Sequence, residues 1–87
     1  MDEIYLNGKF VSRSSAQISI MDRGFLFGDG VYELIPVYNK KIFLLHKHLN
    51  RLKNSLNLIG MSDISDLEGI IKQLISRNSS KNFFIYL

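Results

Sequence analysis

Asn7-Gly8, set between Ile4-Tyr5-Leu6 and Phe10-Val11, constrains this chain more than any other feature. Both residues of the pair tolerate positive φ, as a two-residue hairpin turn with the strands' own twist requires. The chain therefore opens on a small β-hairpin. A turn at Asn39-Lys40 folds a strand over residues 31–38 back onto Ile42-Phe43-Leu44-Leu45. Two tight turns favour antiparallel pairing throughout.

Helical periodicity takes over next. Leu45, Leu49, Leu52, Leu56 and Ile59 recur at spacings of 4, 3, 4 and 3, one apolar stripe of a helix over residues 46–59. Gly60 stands where a left-handed C-terminal cap belongs. A second helix is expected from Ser65-Asp66-Leu67-Glu68, where Ser65 and Glu68 have the spacing of a capping box. Leu67, Ile70, Ile71, Leu74 and Ile75 supply its buried face, and Asn78-Ser79-Ser80 breaks it. Residues 82–87 then read as a strand. Strands first and helices afterwards give an α+β domain, a small antiparallel sheet with two helices on one face.

Eighty-seven residues make one domain with a modest core. With 46% apolar residues the chain is rich enough to fold, and without cysteine it has neither disulfides nor thiolate metal sites; no metal is expected. Its longest wholly apolar run, residues 83–87, is too short to span a bilayer, and no signal peptide is indicated, so the expected location is the cytoplasm. The net charge of +3 gathers at Lys40, Lys41, Lys47, Arg51 and Lys53. So small an excess is commonly a solvated helix face, and neither nucleic acid nor membrane is expected as a partner. Phe83, Phe84, Ile85, Tyr86 and Leu87 would form an apolar sheet edge, which favours a sequence that continues beyond them or a partner that covers them.

The stretch Asp22-Arg23-Gly24-Phe25-Leu26-Phe27-Gly28-Asp29-Gly30-Val31-Tyr32-Glu33 holds three of the six glycines. It reads as a tight irregular segment that Asp and Arg can brace by pairing locally. A phosphate-cradling loop would lead into a helix N-terminus, whereas these glycines lead into a strand, which argues against a dinucleotide or P-loop site. Alternation along that strand puts Val31, Glu33, Ile35 and Val37 on one face and Tyr32, Leu34, Pro36 and Tyr38 on the other. By residue type alone, Glu33 is a partly exposed, paired acid and Tyr32 a core aromatic with its hydroxyl bonded. Pro36 cannot donate to a ladder and implies an edge strand or a bulge. Arg51 lies beside the apolar stripe with His48 and Ser55 near it at helical spacing. It is a snorkelling surface arginine on composition, or an anion ligand if its planar fork faces a phosphate.

Asp-Arg-Gly-Phe-x-Phe-Gly-Asp-Gly-Val-Tyr-Glu at positions 22–33, then Val37-Tyr38-Asn39, then His48-Leu49-x-Arg51-Leu52, resembles the N-terminal signature of class IV aminotransferases. The resemblance runs from about Ile4 to Gly60, with residues 61–87 agreeing only in pattern. It implies an N-terminal small domain over residues 1–87, ending before the domain that carries the cofactor-anchoring lysine. It also implies pyridoxal 5'-phosphate as cofactor, amino-acid and 2-oxo-acid substrates, and a homodimer.

By the same resemblance Arg51 binds the cofactor phosphate, Tyr32 lines the substrate pocket and helps hold the substrate carboxylate, and Glu33 is a possible support of that pocket. No lysine here takes the anchoring role; Lys40, Lys41, Lys47 and Lys53 look like solvated charges. The run Tyr32-Glu33-Leu34-Ile35-Pro36-Val37-Tyr38 is most similar to the D-amino-acid transaminase branch. Branched-chain aminotransferases commonly carry an arginine where Pro36 stands, and aminodeoxychorismate lyases often depart from Tyr-Glu at 32 and 33. His46 departs from the acidic or amide residue that commonly opens this helix, which weakens its N-cap. From a different class, a stand-alone module binding a phosphate-bearing ligand or a partner strand also accounts for the pattern.

Overall fold

The structure, a computed structural model, describes residues 3–87. Strand β1 (Glu3–Leu6) pairs antiparallel with β2 (Lys9–Ser12) across Asn7 and Gly8, both at positive φ (50° and 85°). This hairpin forms a sheet of its own. A second, three-stranded antiparallel sheet has the order β4-β3-β5, from β3 (Leu34–Tyr38), β4 (Lys41–Ile42) and β5 (Phe83–Tyr86). Its tight turn is Asn39-Lys40, again with both residues at positive φ. The expected architecture is present, with its strands divided between two sheets.

Between the sheets the glycine-rich segment forms α1 (Arg23–Phe27), a short helix where sequence reading expected irregular chain. Asp22 caps it by accepting from the Gly24 backbone N–H at 2.9 Å. A Cβ at Gly24 would lie 2.9 Å from that same carboxylate oxygen, so a larger residue there would push the capping side chain aside. Arg23 Nε donates to Asp29 Oδ2 at 2.8 Å and closes the loop from its other end, the local pairing expected of the segment.

Helix α2 (Leu45–Leu58) follows β4 almost without a linker, the chain turning at Leu44 in the left-handed region with no side-chain cap. Its other end is a Schellman motif. Met61 N–H donates to Leu56 O at 2.9 Å and Gly60 N–H to Asn57 O at 3.2 Å, with Gly60 at φ +73°. Helix α3 (Leu67–Ser76) starts one residue later than the expected capping box requires. Its N-cap is Asp66 at φ +53°, a left-handed conformation, whereas a reciprocal box needs an extended N-cap residue. Neither Ser65 nor Asp66 caps it by side chain, and Glu68 pairs forward with Lys72 at 3.3 Å.

Both helices cover one face of the three-stranded sheet. Ile35 and Val37 of β3, Ile85 of β5, and Ile71 and Ile75 of α3 form the buried cluster, with Leu45 and Leu49 of α2 packed against it. The expected alternation of β3 holds: its odd positions are buried and Leu34 and Tyr38 point outward. The stripe of α2 is deepest at Leu52 and Leu56, while Ile59 stays exposed.

Two expectations are corrected here. Pro36 lies in the central strand, neither at an edge nor in a bulge. Its missing N–H is tolerated because it faces β4, whose two paired residues stop at Ile42; Pro36 O still accepts from Phe43 N–H at 2.9 Å. Lys40 is not a solvated charge. Its ammonium donates to the carbonyls of Ile75, at 3.0 Å, and Asn78, closing the C-terminal end of α3 against the β3–β4 turn. At that same end Arg77 pairs with Glu3 and lies 4.1 Å over the Phe10 ring, tying the first hairpin to α3.

Candidate functional site

Glu33 is the residue on which the site is built. It immediately precedes β3, and its backbone exchanges both ladder bonds with Leu87, N–H to O at 3.0 Å and O from N–H at 2.8 Å. Strand alternation then turns the carboxylate inward beneath α2, and Glu33 is only 5% exposed, more deeply buried than its residue type suggested. A buried carboxylate is costly unless charged or polar donors satisfy it. Helix α2 supplies them from one face: His48 and Arg51 are three residues apart, so their side chains are neighbours.

The geometry is a fork on a carboxylate. Arg51 Nε donates to Glu33 Oε2 at 2.8 Å, and Arg51 Nη2 donates to Glu33 Oε1 at 2.8 Å. His48 Nδ1 lies 2.7 Å from the same Oε1 and, as an N–H, donates the third bond. The Arg51 guanidinium holds the Glu33 carboxyl below its ordinary value against the opposing effect of burial, and His48 adds to the lowering. Glu33 in turn raises Arg51, with a smaller contribution from the nearby Tyr32.

Among the described residues Glu33 is thus the one buried charged side chain, and its donors are complete. Arg51 has the opposite character, its side chain 67% exposed. Two of the five guanidinium N–H groups are engaged by Glu33, which leaves Nη1 and the second hydrogen of Nη2 as a further fork open to solvent. That is what an anion ligand needs: a permanent positive charge, a fixed plane and unused donors.

Because the folded pKa of Glu33 is depressed, its contribution to stability is present above the ordinary glutamate value of about 4.5 and is lost as pH falls through the folded value. Glu33→Gln should accordingly lower unfolding free energy at neutral pH, with the gap between the two proteins narrowing as pH falls below about 4.5. Urea titrations of both proteins across that range measure it; a constant gap would remove the carboxylate from the argument.

Tyr32 points the other way. It is 68% exposed and stacks on Tyr86 of β5, with centroids 6.2 Å apart and planes 13° apart. The core-aromatic reading of its residue type is therefore wrong, and its ring stands on the outer face of the sheet beside exposed Leu34 and Phe84. The structure brings Glu33 and Arg51 into direct contact and leaves Tyr32 within electrostatic reach of Arg51. Helical spacing puts His48 near Arg51 without marking a role for it. Its signal was available: a second nitrogen donor three residues from an arginine, facing a strand with one inward carboxylate. An open apolar cavity of about 890 Å³ adjoins this region, reaching Val31, Tyr86 and Leu87 and lined further by Leu52, Leu56 and Ile70. Neither Glu33, Arg51 nor Tyr32 lines it, so its size does not make it the chemical site.

The class IV amino-transferase family model matches residues 30–87, two thirds of the chain, and includes Tyr32, Glu33, His48 and Arg51. The chain belongs to the class IV aminotransferases. Among relatives, it is 41% identical over 90 aligned residues to a D-alanine aminotransferase of Staphylococcus aureus strain MSSA476, covering all of this chain and 32% of that protein. A D-alanine aminotransferase of Bacillus licheniformis is 38% identical, over 98% of this chain and 31% of its own length. Among solved structures, a branched-chain aminotransferase from Thermoproteus uzoniensis, crystallised with norvaline, superposes with a TM-score of 0.84 at 25% identity, over 98% of this chain and 31% of that one. This class IV chain thus spans about a third of the length of the relatives it matches.

Proposed function

We propose that residues 1–87 are the N-terminal small domain of a pyridoxal-phosphate-dependent D-amino-acid transaminase, one that exchanges the amino group of D-alanine with a 2-oxo acid such as 2-oxoglutarate. The observation that carries the reading is Arg51, an exposed guanidinium fixed on a buried carboxylate with one fork unused, in a chain 41% identical to a D-alanine aminotransferase. Those residues fit the cofactor's phosphate, because a fork whose orientation is already set loses little freedom on binding a dianion.

Arg51 accordingly binds the phosphate, and Tyr32 lines the substrate pocket and helps orient the substrate carboxylate. Glu33 supports that pocket from the face beneath α2, through its bonds to Arg51. When bound, pyridoxal phosphate supplies the electron sink that lets the substrate Cα lose its proton. The lysine that anchors the cofactor and moves that proton belongs to a second, larger domain, in keeping with the length of the relatives. The enzyme works as a homodimer in the cytoplasm; the exposed outer sheet face with Leu34, Phe84 and Tyr86 is apolar surface of the kind a partner covers.

A branched-chain aminotransferase is the second reading, favoured by the superposition on the Thermoproteus enzyme. Pro36 stands against it, at the position where that branch carries a substrate-recognising arginine. The full-length protein, loaded with pyridoxal phosphate, distinguishes them. It should form pyruvate from D-alanine and 2-oxoglutarate faster than it transaminates L-leucine, and sediment as a dimer. Preference for L-leucine would reassign the substrate, and no transamination with either would end the transaminase reading.

A further inference from the structure

We infer that Glu33, braced by His48, is a positioning residue that fixes the guanidinium plane of Arg51 and so decides which of its edges meets an anion. The inference rests on Arg51 being the ligand of the cofactor phosphate. Arg51 by itself is poorly suited to such precision, being a long exposed side chain with much rotamer freedom to lose. Glu33 has the opposite properties. Its backbone N–H and C=O are both bonded to Leu87, its side chain is 5% exposed, and both its carboxylate oxygens are bonded.

The pair uses Nε and Nη2, which form one edge of the planar group. Planarity then directs the adjacent Nη1–Nη2 edge away from the carboxylate. His48, half-buried on the same helix face, donates to the oxygen that also receives Nη2. It restrains the carboxylate from rotating about its terminal bond, and with it the guanidinium.

This role can be told from simple electrostatics by the sign of one effect. Glu33 carries a negative charge beside the proposed anion site, so on charge alone its removal would tighten phosphate binding. A positioning role requires the reverse. In the full-length enzyme, binding of pyridoxal phosphate and of pyridoxal, which lacks the phosphate, can be followed by cofactor absorbance and fluorescence without turnover.

Glu33→Gln should weaken pyridoxal phosphate about tenfold while changing pyridoxal less than about twofold, as for loss of a charge-assisted bidentate pair. Arg51→Lys, which keeps the charge but loses the fork, should show the same phosphate-selective loss. Unchanged or tighter pyridoxal phosphate binding by Glu33→Gln overturns the inference, and so does an equal loss for both probes. Should Glu33→Gln fail to fold, wild-type affinity in Arg51→Lys overturns it instead. Arg51→Ala separates the premise: if it leaves the difference between the two probes intact, the phosphate assignment itself fails.

Discussion

Arg51→Ala in the full-length enzyme should weaken pyridoxal phosphate binding by roughly 1.5–3 kcal/mol, the range for hydrogen bonds to a charged group. The expectation rests on the fork that Glu33 leaves open and on the exposure of the guanidinium. Lys53 is the control. It lies two residues away on α2, also exposed, with no carboxylate to orient it among the described residues. Lys53→Ala should therefore shift cofactor affinity by no more than about 0.5 kcal/mol, as a surface substitution does. Cofactor titration of the two variants decides; equal losses would return Arg51 to a surface arginine paired with Glu33 for structural reasons alone.

The second large effect concerns the core. Ile71→Ala should cost about 2–5 kcal/mol of unfolding free energy, the range for truncating a buried isoleucine without full collapse of the cavity. Ile71 is wholly buried in the cluster formed with Ile35, Val37, Ile75 and Ile85, where α3 meets the sheet. The loss would reach the site as well, because the ladder that seats Glu33 is formed by β3 and by Leu87 at the end of β5. A domain this small has a modest core, so a loss of that size removes much of its stability. Leu58→Ala, on the exposed face of α2, should stay within about 0.5 kcal/mol. Chemical denaturation of both variants measures the contrast, and similar midpoints for the two would contradict the assigned core.

What was legible in the sequence was local. Asn7-Gly8 names a turn by the φ values its residues accept, Asn39-Lys40 marks one by its place between two apolar runs, and both turns are present. Gly60 announced the end of α2 for the same reason, since the Schellman bonds require a left-handed residue at that place. The period-2 pattern of β3 placed Glu33, Ile35 and Val37 on one face, and burial follows it. Residue type could not say what covers that face. Glu33 meets donors 15 and 18 residues further on, so its burial depends on how α2 crosses β3 and not on its neighbours in the chain.

The misses share that cause. Lys40 reaches carbonyls 35 and 38 residues away, a tertiary contact that no local pattern marks. Strand chemistry forbids Pro36 a full ladder and so points to an edge or a bulge, yet the shortness of β4 meets that requirement inside the sheet. The Ser65–Glu68 spacing is right for a capping box, but the chain enters α3 through a left-handed Asp66. Residue spacing alone cannot anticipate that backbone choice. The roles of Tyr32 and Arg51 rest on the family resemblance, and the fork between Glu33 and Arg51 exists only once α2 folds over β3.

A crystal structure of the full-length protein with pyridoxal phosphate bound would show whether Arg51 holds the phosphate. A phosphate oxygen should lie about 2.7–2.9 Å from the Nη1–Nη2 edge of Arg51, the distance of a charge-assisted bond, with the Nε–Nη2 pair to Glu33 still in place. A phosphate seated on other groups, with Arg51 turned to solvent or released from Glu33, would contradict it.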